Sequence, residues 1–246
     1  MRAVWPAVTV AVVAVVLLEV LVRVGVVRAF VTPPPSAVLR VLATEADVWR
    51  AAGVTAASAL AALALSAGVG TTLAAVLAVS GLARRAVYPY VVMLQTVPIV
   101  AVAPLLAIWF ALTPTTNVVC GFVASVFPVV AAGVAGMTSV SPDLLDLFRL
   151  HRASRLTTLL KLRLPAALPQ LVVGYRIAAA LAAIGTVVGE FITNLGLGGL
   201  LNVSRQAQRV DKVYALLVLA TLLGLLLYGL VQLASTVFLR RRAPAE

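Results

Sequence analysis

Few side chains in this 246-residue chain are equipped for chemistry: one histidine, His151, one cysteine, Cys120, and eight Asp or Glu against nineteen Lys or Arg. Hydrolysis needs a nucleophile with a base in reach, or a set of metal ligands. His151 lies in the most charged stretch of the sequence and Cys120 inside an apolar run, so neither a Ser/His pair nor a His-based zinc site can form within the apolar segments, and no Cys-based metal site or disulfide is available. ATP binding by a P-loop needs Gly-Lys-Ser/Thr, whose lysine reaches the phosphates. The only lysines, Lys161 and Lys212, follow Leu160 and Asp211, so any ATP dependence must come from another subunit. "GLGG" at Gly196 to Gly199 lacks the completion of a nucleotide loop and reads as a tight turn.

The polar residues left inside apolar runs suit passage or packing better than catalysis. Pro98 and Pro104 each remove a helical hydrogen bond and should bend the segment carrying them. Gln95 and Thr96, just before that bend, together with Asn117 and Ser125, are candidates to line a path, with interhelical hydrogen bonding as the alternative. Glu190, Thr193 and Asn194 form a polar group at the end of an apolar run, read as an outer mouth or an interfacial anchor. Of the ionisable candidates, Glu19 and Glu190 lie near the ends of their runs and can reach water, while Arg176 lies about two turns inside. That is thin machinery for a stand-alone ion-coupled carrier, which usually holds several such groups in its spans; a carrier or channel remains the alternative class.

One charged island breaks the pattern, "SPDLLDLFRLHRASRLTTLLKLRLPAALP", Ser141 to Pro169. Ser141, Pro142 and Asp143 make a helix start: a hydroxyl to cap, a ring preset at helical φ, and an acid at the positive end of the dipole. The spacing predicts a helix to about Leu150, with Asp143, Asp146, Arg149 and Arg152 as a polar strip and Leu144, Leu147, Phe148 and His151 on the other side. Leu145 and Arg149 complete the segment read as a docking knob, since a helix this short is not stable alone; lying on lipid headgroups is the other reading. Ser154 is placed to cap a second helix, and Pro165 and Pro169 punctuate the entry to the fifth apolar run.

The elements that must hold these residues are membrane spans. The chain is 63% hydrophobic and 11% charged, with a mean hydropathy of +1.11, where a soluble domain is about a quarter charged. A net charge of +11 is scattered in short clusters between apolar runs rather than gathered on one face, so it reports topology and not nucleic-acid binding. Roughly 20 apolar residues cross the hydrocarbon core. That length fits residues 5–22, 53–79, 91–111, 117–137, 168–192 and 213–239. The result is an all-α membrane protein of six transmembrane helices in one domain over 1–246, with a loop at 138–167. The first run reads as a retained anchor, lacking a small-residue cleavage site. Six spans put both termini on one side, which carries 11 Lys or Arg (Arg2, Arg84, Arg85, five from Arg149 to Arg163, and Arg240 to Arg242) against 7 opposite. That excess assigns the termini and the island to the cytoplasm. Small residues such as Ser66 with Gly70, and Gly133 with Gly136 and Met137, allow close helix approach.

Several stretches carry a resemblance: "LLEVLVRVGVVRAFVTPPPSAVL" from Leu17, "QTVPIVAVAPLLAIWFAL" from Gln95, "FPVVAAGVAGMTSVSPDLL" from Phe127, "LRLPAALPQLVVGYRIAAALAAIGTVVGEFI" from Leu162 and "LGLGGLL" from Leu195. Over about residues 15–240 the chain resembles the permease subunit of binding-protein-dependent ABC importers of the nitrate, sulfonate and taurine type. The resemblance implies a type I importer fold in a bacterial plasma (inner) membrane. Two permease subunits line a path, a homodimer in preference to a heterodimer, and two ATPase subunits supply ATP and Mg from the cytosol. An extracytoplasmic solute-binding protein delivers the cargo. It also implies that the island is the coupling loop, with its first helix seated in a groove of the ATPase. The family's loop carries Glu-Ala-Ala, then Gly, then Leu-Pro; here the positions read Asp146, Leu147 and Phe148, then Arg152, then Leu164 and Pro165. The spacing holds while the small residues and the Gly are gone, so the partner's groove should differ too.

Overall fold

The computed structural model describes residues 5–240, so Arg2, Arg241 and Arg242 of the charge tally lie outside the described residues. Within them the chain is built from helices: α1 (Trp5–Arg23), α2 (Pro35–Thr44), α3 (Ala46–Val79), α4 (Gly81–Leu94), α5 (Ile99–Phe110), α6 (Pro114–Thr138), α7 (Pro142–Leu150), α8 (Arg155–Thr158), a π turn (Leu159–Arg163), α9 (Leu164–Thr193), α10 (Gly196–Gln206) and α11 (Val210–Arg240). Among the described residues four helices are long and apolar enough to cross a membrane: Ala46–Val79, Pro114–Thr138, Arg155–Thr193 taken through the π turn, and Val210–Thr236. Counting the bent pair α4 and α5 as one span adds a fifth.

The helices outrun the apolar stretches because the polar residues flanking them continue the helix. Thus α3 begins at Ala46, taking in Asp47 and Arg50, and α11 begins at Val210, taking in Asp211 and Lys212. The fifth expected span starts at Leu164 rather than 168, since Pro165 occupies the first turn and Pro169 is carried inside the helix instead of ending it. The largest departure is the third expected span. Residues 91–111 are not one bent helix: α4 ends at Leu94, α5 begins after Pro98, and the two axes meet at 101°. Pro98 stands in extended conformation at the head of α5, while Pro104 is accommodated within it.

The core is the contact of α6 with α3 on one side and α9 on the other. In lipid there is no hydrophobic drive between helices, so close packing of small residues carries the association. The α6 face is built for this: a side chain at Gly121 would meet Ala62 of α3 and Thr186 of α9, and one at Gly133 would meet Ala74. From α9, Gly185 lies against the Cys120 carbonyl, leaving no room for a Cβ. The Ser66 and Gly70 spacing does face a neighbour: the Ser66 and Ser125 hydroxyls are 2.6 Å apart, and Gly70 abuts Val129. Helix α1, by contrast, packs mainly on α2. Its Glu19 accepts from the Ser36 amide at 3.0 Å and the Ser36 hydroxyl at 2.8 Å, capping the start of α2, and from Arg23 at 2.7 Å.

Candidate functional site

Helix α7 is the charged island's projecting element. It makes few contacts with the rest of the chain, and Leu144, Leu147 and Leu150 are exposed, Leu150 to 81%. Leu145 and Phe148, one position on from the first two, are half-buried and turn toward the molecule. The single apolar face expected from Leu144, Leu147, Phe148 and His151 is therefore two stripes, because at 100° per residue the 144/147 and 145/148 rows diverge. Ser141 does not cap with its hydroxyl; its carbonyl accepts from the Leu145 amide at 3.3 Å instead. On the polar strip Arg149 and Asp146 pair at 2.7 Å, both well exposed, while Asp143 stands in the first turn. The His151 ring bonds the Leu147 carbonyl at 2.9 Å.

The end of α7 shows what the missing glycine costs. Arg152 has φ 51°, in the left-handed region. Its amide donates to Arg149 O and the Ala153 amide to Phe148 O, both at 2.9 Å. This is the paired closure that ends a helix by a left-handed residue, a place glycine occupies without strain. Arginine holds it at about 1 kcal/mol or more. Ser154 then caps as expected, accepting from the Thr157 amide at 3.1 Å.

The residues expected to line a path separate. Gln95 and Thr96 are exposed in the elbow between α4 and α5, where a hollow of about 130 Å³ is bounded by Gln95, Val97, Val123 and Phe127. Asn117 and Ser125 are not exposed at all. Ser125 bonds Gly121 O at 2.7 Å and pairs with Ser66, so it joins α6 to α3. Asn117 accepts from the Thr193 hydroxyl at 2.9 Å, joining the start of α6 to the end of α9.

The expected outer mouth is also rearranged. Asn194 is exposed, with φ 57°, but Thr193 and Glu190 are buried, Glu190 completely. The reason is α10, which folds back over the end of α9. Glu190 Oε2 accepts from the Thr55 hydroxyl at 2.8 Å and the Gly198 amide at 3.1 Å, and Thr55 Oγ1 in turn accepts from the Leu197 amide at 2.9 Å. The free N–H groups that open α10 thus end on a carboxyl and a hydroxyl. Any side chain at Gly196 or Gly198 would strike Glu190. Gly196, at φ 56°, makes the expected turn at the first residue of α10, and Gly198 and Gly199 follow in the helix. Thr55 carries no local signal in the sequence that could single it out, since 135 residues separate it from Glu190.

A model of the family described as binding-protein-dependent transport system inner membrane component matches residues 68–242. The chain belongs to this family. Its relatives agree. It is 35% identical to the "Probable ABC transporter permease protein" of Haemophilus influenzae over 81% of this chain and 82% of that one. It is 32% identical to the riboflavin transport system permease protein RibX of Chloroflexus aurantiacus, over 65% of this chain and 60% of that protein. It is 26% identical to the taurine transport system permease protein TauC of Escherichia coli, over 79% and 74%. The molecule is thus the permease subunit of an ABC importer, a transport protein of the inner membrane without an ATPase domain in the matched family region. Within this permease the Glu190 and Thr55 hydrogen bonds join α3, α9 and α10.

Proposed function

We propose that this permease forms half of a translocation path driven through α7. Two ATPase subunits, carrying ATP and Mg, dock on the coupling loop; a second permease subunit, a further copy of this chain in preference to a different one, supplies the other half; an extracytoplasmic solute-binding protein delivers cargo. The chain spans a bacterial plasma membrane six times, through α1, α3, the bent α4 and α5, α6, α9 and α11, with both termini cytoplasmic. Closure of the ATPase pair moves α7 as a lever and rocks the two bundles, alternating access. Gln95 and Thr96, at the elbow, face the path. The cargo is a small solute of anion type, such as a sulfonate, taurine, nitrate or a related nutrient. Similarity to the taurine permease TauC supports this class, and similarity to the riboflavin permease RibX widens it to riboflavin.

The observation that carries the reading is the unpartnered α7: a nine-residue helix too short to persist alone, yet displaying Leu144, Leu147 and Leu150 to its surroundings. A carrier that works unaided has no use for such a grip. Its spans offer few groups for ion coupling, since Glu190 is committed to α10 and Arg176 reaches Ser235 of α11 at 3.3 Å. Replacing Leu144 and Leu147 together by Asp should abolish uptake and release the ATPase on purification while the protein still fractionates with membranes. An ATPase that stays bound to this variant would sink the proposal.

A further inference from the structure

On the inner side of α7, opposite the stripe offered to a partner, the coupling loop and the α3–α4 turn enclose a cavity of about 540 Å³ whose lining includes Ser80, Gly81, Arg149, Arg155, Thr158 and Arg163. A second hollow of about 220 Å³ adjoins it, sharing Gly81 and Arg163 and adding Arg84. Arg149, Arg155 and Arg163 therefore line the larger hollow and Arg84 and Arg163 the smaller, with Arg163 common to both, and among the described residues no carboxylate lines either part. Only Arg149 has an acid, the outward Asp146; among the described residues no ion pair reaches Arg84, Arg155 or Arg163. Arg163 is held in place by donating to the Ala78 carbonyl at the end of α3, and the charges of Arg84 and Arg149 oppose its own. Like charges gathered on one surface repel, and a bound anion relieves that repulsion.

The backbone adds to this. Ser80 caps α4 by accepting from the Ala83 amide at 3.2 Å, so the remaining free N–H groups, those of Gly81 and Leu82, stay at the positive end of α4 with Gly81 on the cavity wall. The cavity's height in the membrane points the same way. Arg155–Thr193 is 39 residues, about 58 Å of helix at 1.5 Å per residue, against a hydrocarbon core of about 30 Å. With Arg155, Lys161 and Arg163 gathered at one end of this helix, that end is the one favoured to extend past the core, to the level of lipid phosphates. Guanidinium groups and helix N-termini are the donors that hold phosphate.

We propose that these adjoining hollows form an anion site centred on Arg163, which holds a phosphate group with Arg155 from the larger hollow and Arg84 from the smaller, supplied by the headgroup of an anionic lipid or by free phosphate. An occupant ties the inner side of α7 to the α3–α4 turn and so stiffens the lever at its base. The site stands whether or not a partner docks on the outer stripe.

The test uses the full purified chain in two arms. Native mass spectrometry from detergent doped with phosphatidylglycerol or phosphatidylcholine reads lipid retention; a thermal-shift titration with inorganic phosphate reads the free anion. Wild type should retain phosphatidylglycerol over phosphatidylcholine, or be stabilised by phosphate, and the arm that responds names the source. Arg155→Gln and Arg84→Gln, both exposed side chains whose loss leaves the packing alone, should each weaken binding roughly tenfold, the worth of one charged hydrogen bond. Arg50→Gln, at the far end of α3, should not. Equal binding by wild type and both variants, no binding in either arm, or an ATPase carboxylate found in the cavity of the assembled importer would each overturn the assignment.

Discussion

Arg152 shows how much one backbone angle can say. Its left-handed φ is required by the closure of α7, whose last carbonyls are taken by the Arg152 and Ala153 amides. Glycine reaches that region freely but loses more freedom on folding, so the net gain from Arg152→Gly should be about 0.5 to 1 kcal/mol. Hydrogen exchange at His151 to Ala153 is the measurement: the glycine variant should slow exchange roughly threefold, and Arg152→Ala should not. Faster exchange in the glycine variant would mean that the guanidinium itself holds the loop. The position is legible in the sequence as the place where the family's glycine is absent; the conformation is not, because sequence spacing carries no φ.

At the scale of elements, the α2–α3 turn is tied to the start of α11 by charge. Arg209 donates to both Glu45 oxygens, at 2.7 and 3.3 Å, and to Asp211 at 3.0 Å, while Lys212 reaches Glu45 at 2.7 Å and Asp47 at 2.6 Å. The Arg209 hydrogen bonds, and after them that of Lys212, hold the Glu45 carboxyl below its ordinary value of 4.5. A carboxyl depressed in the folded state adds stability that is fully present above its unfolded value and is lost as pH falls through the folded one. The part of the thermal midpoint that Glu45 supplies, read as the difference between wild type and Glu45→Gln, should therefore be constant from pH 8 to about 5 and shrink below about 4.5. Glu45→Gln should lower the midpoint at neutral pH and flatten the fall at low pH. Parallel curves for the two proteins would remove Glu45 from the network. The ties to Glu45 and Asp47 are not visible in the sequence, since Glu45 and Arg209 are 164 residues apart, whereas the Ser154 cap and the extent of α7 follow from neighbours and are.

For the molecule as a whole, the sequence makes legible only what composition can carry. Apolar runs of sufficient length announce spans, and α3, α6, α9 and α11 contain the runs expected of them. Direction is invisible to such a sum, so the 101° turn after Leu94 reads in sequence as a bend within one span. Burial of Glu190 is invisible for a similar reason: proximity to the end of a run suggests water, but α10 returns to cover it. Topology is the property on which the lever mechanism depends, because α7 must meet an ATPase in the cytosol. Replacing buried Cys120 by Ala leaves a chain without thiols, into which Lys161→Cys, on the α7 side, and Gln206→Cys, at the end of α10, can be introduced singly; both positions are exposed. The excess of Lys and Arg on the α7 side requires that an impermeant maleimide applied to spheroplasts label the position-206 thiol alone, and that the position-161 thiol react only after lysis. The reverse pattern would place the arginine-lined hollows and α7 outside the cell, where no ATP-driven subunit could pull on them.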